Sequence, residues 1–179
     1  MATSSRLPRE INSYLIRLAS ADDAESIAAI YNQGMDERLA TFETTHRTGT
    51  DIRKQLEEKA DRFPTIVVVK NDRVVAFSTA SSYRSRPCYA GIAEHSVYVD
   101  RDARQQGVGA LALQALLDVY EERGFWKIVS RIFPENQASL RLHKTLGFRV
   151  VGVYERHGKL DNQWRDCVIV EKLLTTKES

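Results

Sequence analysis

Apolar stretches at 65–69 and 73–80 flank Asn71-Asp72, two turn-forming residues. A connection that short leaves no room for a crossover, so the two strands must pair antiparallel as a hairpin. A third strand over 93–99 closes this run. Upstream, 14–18 alternates as a short strand, and Ser20 with Asp23 makes a capping-box-like pair. That pair opens a helix with Ala24, Ile27, Ile30 and Tyr31 on one face, ended by Gly34. Residues 51–62 place Ile52, Leu56 and Ala60 four apart, a second amphipathic helix stopped by Pro64.

Downstream, 107–123 is a long helix with Leu113, Leu116, Leu117 and Tyr120 on one side and Gly124 just past its end. A strand at 127–133 is broken by Pro134, a helix at 136–146 is finished by Gly147, and strands at 149–154 and 164–173 follow. His157-Gly158 and Asp161-Asn162 join those last two. No repeat or linker interrupts the order β, α, α, β, β, β, α, β, α, β, β. The chain therefore reads as one mixed α/β domain over 14–174, with loose tails at 1–13 and 175–179.

Composition narrows the function. Lys and Arg number 26 against 24 Asp and Glu, a net charge of +2, which argues against a protein that coats nucleic acid. Cys88 and Cys167 are too few for a disulfide scaffold and lack metal-ligand spacing, so no metal is assigned. The first ten residues carry no apolar core of a signal peptide, and no window reads as a membrane span. A cytoplasmic location is expected.

The chemistry starts at Arg104-Gln105-Gln106-Gly107-Val108-Gly109-Ala110, between the third central strand and the long helix. Two glycines there let the backbone approach a ligand, and a helix N-terminus suits a pyrophosphate. A Walker A run is missing, which removes an NTPase. Gly107, Gly109 and Ala112 imitate a dinucleotide fingerprint, but residues 100–106 separate them from their strand. The third pattern, R-x-x-G-x-G, is that of GNAT acyltransferases.

The chain is similar to GNAT N-acetyltransferases from Tyr14 to Leu174. It most resembles the branch holding phosphinothricin and arsinothricin acetyltransferases. Carrying stretches are Ala93-Glu94-His95-Ser96-Val97-Tyr98-Val99, the glycine loop, and Asn136 through Phe148 with its Leu-Gly-Phe ending. Arg86-Pro87-Cys88-Tyr89 and 151–156 resemble it too. The resemblance implies a splayed, mostly antiparallel central sheet flanked by helices, with acetyl-CoA as cosubstrate. It places Val97, Tyr98 and Val99 beside the pantetheine arm and Arg104, Gln105, Gln106, Gly107, Val108, Gly109 and Ala110 around the pyrophosphate. Asn136 and Ser139 would touch the cofactor from the next helix.

Acetyl transfer to an amine needs a base for the ammonium and a donor for the departing thiolate. Glu94 matches the branch's glutamate and is expected as the base, amid apolar neighbours. His143, seven after Asn136, matches the branch's histidine; it and Tyr98 are the two candidate thiolate acids. Arg84, Arg86 and Tyr89 would hold the acceptor's anionic groups, and Phe42 would cover it. Trp126 and Trp164 are expected to pack or to stabilise an oligomer interface. Two residues depart from the branch: His95 stands where serine is common, and Gly91 replaces an aromatic. Both are expected to change the wall beside the acceptor. The expected function is transfer of acetyl to the α-amine of a small amino acid analogue, conferring resistance to a toxic amino acid, by a homodimer without nucleic-acid or membrane partners. The alternatives are a protein N-terminal or lysine acetyltransferase and a non-catalytic acyl-CoA sensor.

Overall fold

The computed structural model of the protein describes residues 6–174, so the first five residues and the tail expected at 175–179 lie outside them. The hairpin expected around Asn71-Asp72 is present: β3 (Ile66–Lys70) turns into β4 (Arg73–Ser82) through residues with φ of 48° and 60°. Those paired positive angles give the turn that matches strand twist. Before it come β1 (Arg9–Ile11), β2 (Tyr14–Leu18), α1 (Ala24–Asp36) and α2 (Gly49–Lys59). After it come β5 (Ile92–Val99), α3 (Val108–Glu122), β6 (Lys127–Ile132), α4 (Gln137–Thr145), β7 (Arg149–Leu160) and β8 (Gln163–Leu173).

All eight strands form one sheet, ordered β1-β2-β3-β4-β5-β6-β8-β7. Every neighbouring pair is antiparallel except β5 and β6, which run parallel. Helices cover both faces. Ile66 and Val68 face the side that buries Leu113, Leu116 and Tyr120 of α3, while Val67 and Val69 face Ile27 and Ile30 of α1 and Ile52 of α2. Burial on both faces explains why β3 reads as an unbroken apolar run. The Tyr120 hydroxyl, inside this core, donates to the Pro64 carbonyl at 3.2 Å.

Several boundaries differ from the sequence reading, each for a local reason. The tail expected at 1–13 contains β1, which pairs with β2 from Arg9↔Ile16 through a turn at Asn12-Ser13. Arg9 also binds Asp118 of α3 at 2.8 Å, so this segment is docked. Gly34 does not end α1: a Cβ there would lie 3.0 Å from the Tyr98 ring, so the glycine is a notch for that ring. The helix instead stops before Arg38, which has a φ of 56°. The second helix starts earlier than 51, because the Thr48 hydroxyl accepts from Asp51 N–H while the Asp51 carboxylate accepts from Thr48 N–H. The strand expected at 149–154 continues to Leu160, absorbing 155–157 as a bulge opposite β8.

The Ser20–Asp23 pair does open the first helical segment, with Ser20 N–H donating to Asp23 at 2.7 Å. Arg17 clamps the same carboxylate through both oxygens, at 2.7 and 2.9 Å. Burial opposes ionisation of Asp23, but the Arg17 and Ser20 bonds prevail and hold it below the usual carboxylate range. A depressed carboxylate contributes stability above its unfolded pKa and loses it as pH falls through the folded one. Asp23→Asn is therefore expected to cost about 1.5–3 kcal/mol at pH 7. In denaturant melts the gap between variant and parent should close as pH drops below about 4.

Candidate active site

The parallel register of β5 and β6 begins at Ile92↔Lys127 and ends at Glu94↔Val129. Beyond it, β5 stays with β4 as far as Val99 while β6 follows β8 as far as Ile132. The sheet forks at this point. Ser130 Oγ donates to the His95 carbonyl at 3.1 Å and pins the apex. Asp100 N–H donates to Val75 of β4, and Ser78 Oγ donates to the Ser96 carbonyl. Since strand residues alternate, Tyr98 also turns its main chain to β4, leaving Val97 and Val99 to face the fork. A small cavity of about 30 Å³ occupies it, bounded by Leu39, Val97, Tyr98, Asn136, Ser139 and His143.

The glycine loop lies at the end of β5 and opens α3. Gly107 has a φ of +78°, in the left-handed region where a side chain is strained. A Cβ on Gly109 would stand 3.1 Å from the Val99 side chain, a tight contact that glycine avoids where the helix starts against the fork. Other elements brace the loop. Gln33 of α1 donates to Asp100 and accepts from Arg101 N–H. Tyr14 donates to Gln106 at 3.0 Å, and Arg104 pairs with Glu37 at 2.9 Å.

On the α1–α2 face, a cavity of about 740 Å³ receives Glu94, Ser96 and Tyr98 from alternate positions of β5. The expected apolar surroundings of Glu94 are only part of the picture. Arg131, two residues beyond Val129 on β6, donates through Nε to Glu94 Oε1 at 2.5 Å. Phe42 lines the same cavity, edge-on to Phe133 at 4.8 Å and packed against Gly158. Arg84, Arg86 and Tyr89 are not among its lining residues. After Ser82 the chain leaves the sheet into an exposed turn, where Arg84 stacks on Tyr83 instead. The polar groups that do line the cavity include Tyr31, Glu43, Arg47, Lys59 and Arg131, which the sequence reading missed. Arg131, a charge within the otherwise largely apolar run 128–133, and the i,i+4 pair Glu43–Arg47 were the available signals.

Tyr98 is buried, stacked on Phe77 at 5.2 Å and met edge-on by Tyr31 at 5.0 Å. Burial pushes its hydroxyl pKa far up, so the group keeps its proton. It borders both the cavity and the fork. Asn136 caps α4 by accepting from Ser139 N–H and donates to the Leu39 carbonyl, so both ends of its amide are engaged.

His143 is 1% exposed and His95 is 2% exposed. The Ser139 carbonyl can only accept, so His143 Nδ1, 2.7 Å away, carries a proton. In the neutral ring His143 Nε2 is then an acceptor, and His95 Nε2–H donates to it at 2.9 Å. Among the described residues, His95 Nδ1 is left buried without a side-chain hydrogen-bond partner. His95 turns its ring to His143 and Phe148 while still contributing to the lining of the large cavity. Gly91 does not line that cavity: a Cβ there would strike the Trp126 indole.

The acetyltransferase (GNAT) domain family matches residues 16–169. This chain belongs to the GNAT acetyltransferase family. Phosphinothricin N-acetyltransferase of Streptomyces coelicolor is 29% identical over 163 residues, covering 89% of this chain and 95% of that protein. An L-methionine sulfoximine/L-methionine sulfone acetyltransferase of Pseudomonas aeruginosa is 29% identical over 158 residues, covering 87% and 92%. The crystal structure of a phosphinothricin acetyltransferase from Sinorhizobium meliloti in complex with acetyl-CoA superposes with a TM-score of 0.83 at 25% identity, covering 93% and 92%. The protein is an acetyl-CoA-dependent acetyltransferase, with acetyl-CoA as its cosubstrate. Among the described residues no helix is long and apolar enough to cross a membrane.

Burial lowers both imidazole pKa values, that of His95 well below the ordinary 6.5; proximity of His143 lowers it further, and the Ser139 bond partly offsets burial for His143. Neither ring should titrate near pH 6.5 in nitrogen-detected NMR, and His143 should carry its proton on Nδ1. An unfolded chain binds those protons first, so melting temperature should fall between pH 7 and 5.

Proposed function

We propose that this acetyltransferase acetylates the α-amine of a small amino acid analogue of the phosphinothricin, arsinothricin or methionine sulfone kind, conferring resistance to it. The observation that carries this reading is the placement of Glu94, on a cavity wall yet at the apex of the fork. Relatives named for phosphinothricin and methionine sulfone support the acceptor class. The 740 Å³ cavity, roofed by Phe42 against Gly158, suits a small molecule better than a protein chain.

The fork and loop fit acetyl-CoA. Val97 and Val99 offer main-chain partners for the pantetheine amides. The N–H groups of Val108 and Gly109, which open α3 beside the left-handed Gly107, offer partners for a diphosphate, while those of Ala110 and Leu111 return to the Gly107 carbonyl. Asn136 and Ser139 border the fork opposite β5. Bound acetyl-CoA supplies the acetyl group as an activated thioester. Glu94 takes the ammonium proton through its second oxygen while Arg131 steadies the first. Tyr98, protonated at the junction of fork and cavity, is better placed than His143 to donate to the departing sulfur. Both nitrogens of His143 are engaged, which makes it a support for α4 and Ser139.

The test is CoA release with phosphinothricin, arsinothricin and methionine sulfone, set against a peptide panel. Turnover of at least one small amine is expected, and peptides turned over faster than all of them would overturn the reading. Glu94→Gln should lower kcat by about 10²–10⁴ with acetyl-CoA affinity within twofold; an unchanged kcat removes Glu94 from the reaction.

We also propose a homodimer through the sheet edge. Val150, Val151, Val153 and Tyr154 of the edge strand β7 and Trp164 of its neighbour β8 are each at least half exposed. Sedimentation equilibrium should return twice the 20.4 kDa chain mass, and Val153→Lys should return the chain mass.

A further inference from the structure

The wall of the large cavity carries three permanent cations, Arg47, Lys59 and Arg131, and two carboxylates, Glu43 and Glu94. Arg47 is held by Glu43 at 2.6 Å and Arg131 by Glu94 at 2.5 Å. Lys59, half-buried at the end of α2, has no ion pair among the described residues. Its neighbour Glu58 pairs with Lys54 at 3.9 Å instead. Burial pulls the Lys59 pKa down, and the nearby Glu58 charge offsets this only in part.

The same cavity wall carries Thr65 and Thr79, whose Oγ1 atoms lie 2.9 Å apart. One hydroxyl donates to the other, which leaves the second O–H free to donate elsewhere. Thr79 pairs with Ser96, and Thr65 adjoins β3 on the far side of β4 from β5. Two strand spacings, about 10 Å, therefore separate Thr65 from the strand that carries Glu94. The lysine arm and a short extended amino acid span that distance together.

We propose that Lys59, with the Thr65 and Thr79 hydroxyls, forms a subsite for an anionic oxygen group on the acceptor side chain, as in a phosphinate or arsonate. The subsite rests on the small-acceptor reading and deepens it, because it selects acceptors with a negatively charged head over neutral ones. It replaces the role expected of Arg84 and Arg86, which lie off the cavity wall.

The experiment compares the parent with Lys59→Met and Lys59→Arg. Steady-state kinetics would use phosphinothricin, whose head is anionic, and methionine sulfone, whose head is neutral. Calorimetry would measure phosphinothricin binding to each protein in the presence of CoA. Lys59→Met should lower the ratio of kcat/KM for phosphinothricin to that for methionine sulfone by about tenfold or more. It should weaken phosphinothricin binding by a similar factor, while Lys59→Arg keeps both within threefold. A ratio that stays put while both amines are turned over overturns the subsite and leaves the acceptor class standing. If the parent turns over neither amine, the acceptor class falls and calorimetry judges the subsite alone. Equal affinity in parent and Lys59→Met, or no binding to the parent, then overturns it.

Discussion

The parting of β5 from β6 is the constraint on which the rest of this molecule depends. A parallel ladder that stops at Glu94↔Val129 leaves the N–H and C=O groups of Val97 and Val99 with no neighbouring strand. Buried backbone groups are seldom left unpaired. On the proposed reading, the amides of acetyl-CoA supply the missing partners. It stays open because each arm is held elsewhere: β5 by β4 to Val99, and β6 by β8 to Ile132. The Asn136 cap and the His95–His143 contact fix α4 beside it, while Ser130 sets how deep it runs.

One helix couples that fork to the cavity on the other face. Within α1, Tyr31 meets the Tyr98 ring, Gly34 makes room for it, and Gln33 holds both Asp100 and Arg101. Just past the helix, Glu37 fixes Arg104 in the glycine loop. Asn32 exchanges two hydrogen bonds of 2.9 Å with the main chain of Arg47, which sets the outer wall of the cavity. A shift of α1 would move the loop, Tyr98 and Arg47 together. Two glycines thus act at unlike places. Gly34 takes a ring into a helix, and Gly107 supplies a backbone angle other residues resist.

Much of this was legible in the sequence, and the exceptions follow a rule. Hairpins, helices and the glycine loop announce themselves through local chemistry: Asn71-Asp72, Ser20 with Asp23, Gly107 with Gly109. Tertiary uses of the same residue types do not. Gly34 looked like a helix stop because its partner, Tyr98, is more than sixty positions away. Asn12-Ser13 signals a turn as well as Asn71-Asp72 does, but three-residue β1 is too short to show a period. The position of Glu94 followed from resemblance, whereas its partner Arg131 belongs to a strand met only across the sheet. Arg84 and Arg86 are near Glu94 in sequence but stand off its cavity wall, which in this stretch ends at Tyr83, since β4 and β5 are joined by an excursion away from the sheet.

The electrostatics of the cavity then bear on what enters it. Glu94 paired with Arg131 is oriented, but an arriving ammonium adds a second positive charge to the same carboxylate. That addition is unfavourable unless negative charge arrives with it, in a wall that already holds a surplus of one cation. An amino acid with one ammonium and two anionic groups carries the opposite surplus. On the proposed reading, its carboxylate stays near the arginines and its side-chain anion near Lys59. The filled cavity is then neutral, with each charge beside its opposite. A peptide N-terminus brings the ammonium without compensating anions and leaves that balance unmet, so charge and cavity size favour the same class of acceptor.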